Sequence, residues 1–190
     1  MNDDSNLVNR DLVAQMLRDS FEEGLKFRIE RYLAAKQLMV IPSSHFSRAF
    51  RECAELYTSG NFIATTMVAQ AVAEGVANYI AKRIGVERHS EMNLDCLAGV
   101  LVVEEAILLS TAKAIRAIRK KYRNDYHHMN PKVKDLDHER WAGECISDLA
   151  SIASDVFGSQ IVNGELVLNY PKYWDVNSDG DVKANVRFKA

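Results

Sequence analysis

Only three prolines interrupt this chain of 190 residues, at Pro42, Pro131 and Pro171, and between them runs sequence with a helical period. Proline fixes φ and lacks a backbone N–H, so its scarcity leaves long stretches free to build uninterrupted helices. Before Pro42, the stretch from about Asp11 to Met39 carries Leu12, Met16, Leu25, Ile29, Tyr32 and Leu33 at helical spacing. After it, Ser43 or Ser44 is placed to cap a second helix with Phe46, Phe50, Cys53 and Tyr57 on one face. Gly60-Asn61 breaks the chain, and residues 62 to 85 follow as a helix rich in small side chains, with Gly85 as its C-cap. Residues 87 to 93 read as a polar loop. A fourth helical region spans about Leu94 to Tyr122, broken near Ser110, with Ile107, Leu108, Thr111, Ala114, Ile115, Ile118 and Tyr122 as a buried stripe. A fifth runs from about Asp135 to Phe157, with Trp141, Cys145, Ile146, Leu149, Ile152 and Val156 inward and Gly158 as its stop.

The period then changes. Asn163-Gly164 between Ile161-Val162 and residues 165 to 168 is a strong signal for a two-residue hairpin, and residues 182 to 188 read as a third strand completing a small meander. The expected architecture is mainly α: an antiparallel bundle of about five helices over residues 1–158, followed by a β appendage over 159–190. The first helix either opens the bundle or stands as an N-terminal extension.

Several function classes fall away. With 24 basic and 26 acidic residues, bulk charge gives no pull toward nucleic acid or membrane, although a local patch still counts. The opening residues, acidic and polar, are unlike a signal peptide, and no apolar run reaches the ~20 residues of a membrane span. Cys53, Cys96 and Cys145 are odd in number and far apart, which fits reduced, buried thiols in the cytoplasm. Walker, GxSxG and glycine-rich phosphate patterns are absent. Residues 175 to 182 match the start of a calcium loop, but Val186 stands where its bidentate glutamate belongs, so a tight turn is the reading. His127, His128, Asp135, Asp137, His138 and Glu139 are metal-ligand types without a ligand spacing. No metal or cofactor is expected.

One stretch stands out: KKYRNDYHHMNP, residues 120 to 131. It closes a helix whose last turns carry Arg116, Arg119, Lys120 and Arg123 on one face. Cations there suit the helix dipole, by ~0.3–1 kcal/mol each. That does not account for the polar cluster after them. On an ideal helix Arg123 and His128 diverge by ~140°, so they meet only across a bend or a symmetric dimer contact.

Arg123-Asn124, three residues, then His128 resembles the arginine–histidine signature of HEPN domains (higher eukaryote and prokaryote nucleotide-binding). The glycine turn and alanine-rich helix of residues 56 to 85 resemble that family's earlier segment, and the likeness covers roughly residues 40 to 157. It implies a metal-independent endoribonuclease of toxin–antitoxin or phage-defence type, working in the cytoplasm as a homodimer whose paired motifs form one cleft. His128 would be the general acid/base, Arg123 the phosphate clamp, and Asn124 the residue orienting histidine or phosphate. His127, Asp125 and Tyr126 would be supporting groups, and Arg116, Arg119 and Lys120 would guide an RNA backbone. Its partners would be RNA and an antitoxin or regulatory protein, with no membrane. The alternative is a non-catalytic helical module of the same shape that dimerises or binds a nucleotide or protein.

Overall fold

The computed structural model describes residues 4–35, 40–123, 126, 128, 130–175, 182 and 184–186. Six helices carry most of the chain: α1 (Asp4–Ala34), α2 (Ser47–Thr58), α3 (Phe62–Arg83), α4 (Leu94–Val103), α5 (Leu109–Ala117) and α6 (His138–Phe157). Short strands are β1 (Val40–Pro42), β2 (Ser159–Val162), β3 (Glu165–Leu168) and β4 (Ala184–Val186). The expected helical bundle with a C-terminal hairpin is what the chain forms.

The alanine-rich helix takes the centre. Along α3, Ala69, Val72, Ala73, Val76, Ala77, Ile80 and Ala81 are fully buried, packed mainly against α2 on one side and α6 on the other. Small side chains let neighbouring backbones come close, which is why this helix can be surrounded. From α6, Cys145, Ile146, Leu149, Ile152 and Val156 face inward as their spacing predicts. At its end a Cβ on Gly158 would collide with the Ser154 carbonyl, so glycine is required there by contact. Asn163 and Gly164 both adopt positive φ, the conformation a two-residue hairpin turn needs.

Several expectations are corrected. The segment read as a third meander strand does not join the hairpin: β4 pairs antiparallel with β1, Val186 opposite Val40, while β2 and β3 form their own sheet. The tail also enters the core. Tyr173 and Trp174 are buried, the Tyr173 hydroxyl donates to the Ala106 carbonyl at 2.6 Å, and Trp174 meets Phe157 edge-on. The change of secondary structure at residue 159 is therefore no break in packing. Phe46, rather than Ser43 or Ser44, stands at the N-cap of α2; Ser47 instead donates its hydroxyl to the Ser44 carbonyl. The break in the fourth helical region falls at residues 104–108, where Glu105 takes φ of +53°, and the chain re-enters helix at Leu108 without Ser110 as cap. Leu108 is exposed, so the buried stripe there is Thr111, Ala112, Ile115 and Ile118. Cys96 is exposed; Cys53 and Cys145 are buried, as expected, and burial pushes the Cys53 thiol up to about 12.

The first helix forms as its spacing predicts. It spans 31 residues, and Leu12, Met16, Leu25, Ile29 and Leu33 are exposed while Tyr32 is half-buried. Its C-terminal end is rooted. Arg31 donates to the Thr58 carbonyl at 3.2 Å, pairs with Glu139 at 3.3 Å and lies over the Phe62 ring. Among the described residues no helix is long and apolar enough to cross a membrane.

Candidate functional site

The motif follows α5 through a change of helical geometry. From Ile118 to Arg123 the backbone widens into a π-type turn, an arrangement that tends to mark functional positions because it displaces side chains from α-helical register. A 3-10 turn over Pro131–Asp135, capped by the Asn130 side chain accepting from the Lys132 N–H at 3.1 Å, then leads into α6. Asp137 caps α6 in the same way through the Arg140 N–H.

Within this passage the residues fare differently. Tyr126 is buried at 1% exposure, with its hydroxyl 2.7 Å from Nδ1 of His138 and its ring edge-on to Trp141. It anchors the segment to the first turn of α6. His128, two residues on, sits exposed in a turn. The backbone of Arg123 ends the π turn; its side chain lies outside the described residues, as do Asn124, Asp125 and His127.

The cations before the motif converge on one residue, Asp95. Arg119 pairs with Asp95 at 2.5 Å, Lys120 approaches the same oxygen at 3.9 Å, and Arg116 donates to the Asp95 backbone carbonyl at 3.2 Å. Arg119 also reaches Asn93, the N-cap of α4. This contact docks α5 and the π turn against the start of α4. Three cations around one aspartate still leave excess positive charge, and Lys120, 69% exposed in its side chain, carries it outward.

Among the hollows on the bundle, two bear on the site. One of about 540 Å³ is lined by residues 60–64, Met67 and His138, so it lies directly beside the Tyr126–His138 contact. Its walls are mostly apolar, with Ile63 and Met67 partly exposed. The other, of about 570 Å³, is lined by Ser43, His45, Lys82, Arg83, His89 and Asp175 among others. There Asp175, the first residue of the calcium-like stretch, is held by Arg83, and His89 Nδ1 lies 2.9 Å from Asn78 Oδ1. The rest of that stretch, 176–181, lies outside the described residues. Among the described residues no group of three or more histidine, cysteine or acidic side chains is arranged to hold a metal ion.

Sequence reasoning weighed His138 only as a metal-ligand type without a ligand spacing, yet it is the residue that ties the motif segment to a hollow. A signal was available: a histidine ten residues beyond a histidine-bearing turn, at the first position of the next helix. The pairing itself depends on the intervening 3-10 turn, which spacing did not reveal. No family model matches the chain, and no curated protein or solved structure matches it.

Proposed function

We propose that the chain is a metal-independent endoribonuclease of HEPN type, acting as a homodimer in a toxin or phage-defence setting. The observation that supports this most is the placement of His128: exposed on a turn, held by a buried tyrosine two residues earlier, just after a cation-bearing helix end. A histidine so placed is open to a substrate. Imidazole is the side chain suited to taking up and returning a proton in such a step. In this reading it takes the proton of a ribose 2′-hydroxyl as that oxygen bonds to phosphorus. The bond to the 5′-oxygen breaks, and the proton passes to the departing oxygen. Arg123 holds the non-bridging phosphate oxygens and Asn124 orients histidine or phosphate. His127, Asp125 and Tyr126 support them. Arg116, Arg119 and Lys120, in excess over Asp95, attract the RNA backbone through contacts that weaken with salt.

Incubating the purified protein with mixed RNA and a chelator tests the reading. Expected products end in 2′,3′-cyclic phosphate or 3′-phosphate, with 5′-hydroxyl partners, and His128→Ala lowers the rate by about 10²–10⁴-fold. Cleavage that requires a divalent ion, or that survives His128→Ala, overturns it. A second reading, a non-catalytic module that binds a nucleotide or protein, is favoured by one observation: the three helix-end cations already share Asp95, so they are accounted for structurally. RNA left intact by both proteins selects it.

A further inference from the structure

The hollow of about 570 Å³ at the end of α3 gathers donors that the fold leaves unused. Asn78, Tyr79 and Lys82 line it from one face of that helix, the face that also carries Gly75. At 3.6 residues per turn these four positions fall within about 100° of one another. A Cβ on Gly75 would lie 3.0 Å from Phe46 Cβ and 3.5 Å from His45 Nε2, so glycine lets the segment bearing His45 rest on the helix. One turn on, the Asn78 side-chain nitrogen donates to the Glu74 carbonyl at 3.0 Å, which turns the amide oxygen toward His89. His89 Nδ1–H donates to that oxygen at 2.9 Å, orienting the ring and leaving Nε2 open. Lys82, a further turn on, leans back toward Asn78, as helical side chains do.

The charges in the lining are unevenly used. Asp175 is held by Arg83, whose guanidinium also donates to the Tyr79 hydroxyl and the Trp174 carbonyl. Among the described residues Lys82 makes no ion pair, and the Ser44 hydroxyl is buried without a hydrogen-bond partner. Lys82 and Arg83 against Asp175 leave a net of +1 with the imidazoles neutral. The negative end of α3 does not cancel this charge, because the Ile80, Ala81 and Lys82 carbonyls accept from the N–H groups of Ile84, Val86 and Gly85. Cations suit any helix C-terminus, but that alone does not bring two imidazoles and an unmet hydroxyl to the same hollow.

These donors select among anions. A hollow of this volume suits a small organic molecule. A planar carboxylate matches the fork of an arginine, and the fork of Arg83 is already taken. What remains is an ammonium on α3 and imidazoles from two other segments, point donors arriving from separate directions. That set suits the tetrahedral oxygens of a phosphate. A phosphate monoester, with a second pKa of ~6, also shares a proton with imidazole: it accepts from a cationic ring or donates to the open Nε2 of a neutral one.

We infer that this hollow binds a small phosphate monoester, its phosphate seated over Asn78 between Lys82, His45 and His89. The site is separate from the ribonuclease motif, and its test reads binding rather than RNA cleavage, so either proposal can fail alone. Phenyl phosphate titrated into the full chain is expected to bind saturably in calorimetry. In NMR it shifts the ring signals of His45 and His89 and leaves those of His128 and His138 in place. Benzoate and inorganic phosphate bind roughly tenfold more weakly or worse. Lys82→Gln, with helical circular dichroism unchanged, weakens phenyl phosphate by roughly tenfold or more, whereas Lys113→Gln, an exposed lysine outside the lining, leaves it unchanged. Absence of saturable binding at millimolar phenyl phosphate overturns the proposal. So does benzoate or inorganic phosphate binding as tightly, or a loss of affinity that is equal in the two lysine variants. A 5′-phosphorylated RNA that shifts His45 and His89 where phenyl phosphate does not also overturns it, in favour of nucleic acid.

Discussion

Helices α1 and α3 are both rich in apolar residues, yet one is the most exposed helix of the molecule and the other the most enclosed. The difference lies in side-chain size and in what surrounds them. Along α3 the apolar positions are largely alanine and valine, and α2, α4, α6 and the π turn close over it. Helix α1 carries leucine, phenylalanine, isoleucine and methionine, yet its described partner is chiefly α2, near one end. Small residues therefore mark where the chain packs against itself, and large ones in α1 mark where a single chain leaves packing unfinished.

The sharpest way to break this contrast is to truncate both helices. Ile80→Ala in α3 is expected to cost about 2–5 kcal/mol in urea unfolding, through lost transfer energy and a residual cavity. Leu17→Ala in α1, measured under dilute conditions where chains are separate, is expected to fall within about 0.5 kcal/mol of the parent. Equal losses at both sites would mean that α1 is part of the folded core after all. A smaller effect probes the tail. Tyr173→Phe removes the donor to the Ala106 carbonyl and should cost about 1–3 kcal/mol, whereas the same change at a free appendage would be silent.

The smallest effect is a pH dependence. Burial raises the Cys53 thiol from its ordinary 9.0 to about 12 and the Tyr173 phenol from 10.0 to about 12. Both are neutral when protonated, and the folded state holds the proton more tightly. Their contribution is therefore complete below pH 9 and declines as the unfolded chain ionises, until the folded groups titrate near 12. Unfolding free energy should fall by on the order of 1 kcal/mol between pH 8 and pH 10. Cys53→Ala should flatten the thiol's share, and an unchanged slope would show that Cys53 does not supply it.

Helices were legible because their period reflects burial that the chain completes itself. In α6 every predicted inward residue except half-buried Trp141 is buried, and the Asn163-Gly164 turn reads directly from the need for positive φ at two adjacent residues. What was illegible depended on distant partners. β4 lies inside the strand read at residues 182 to 188, but three-residue β1 carries almost no pattern of its own, and the pairing of residues 40–42 with 184–186 left no local signal. In α1 the spacing gave the helix, but spacing alone did not decide whether it opens the bundle or extends from it. At the candidate site, the residue set was visible as an unusual cluster. The widened turn was not, because IRKKYR has ordinary helix-forming composition. Neither was the Tyr126–His138 contact, which a folded-back turn creates.

The β1–β4 ladder has a consequence during synthesis. Its halves are separated by almost the whole bundle, so a ribosome-bound chain can collapse α2 through α6 while the complement of β1 is still unmade. For that interval residues 40–42 present bare backbone donors and acceptors to any passing strand. Closing the clasp is thus a late step of maturation, and it locks together segments that translation delivers far apart in time.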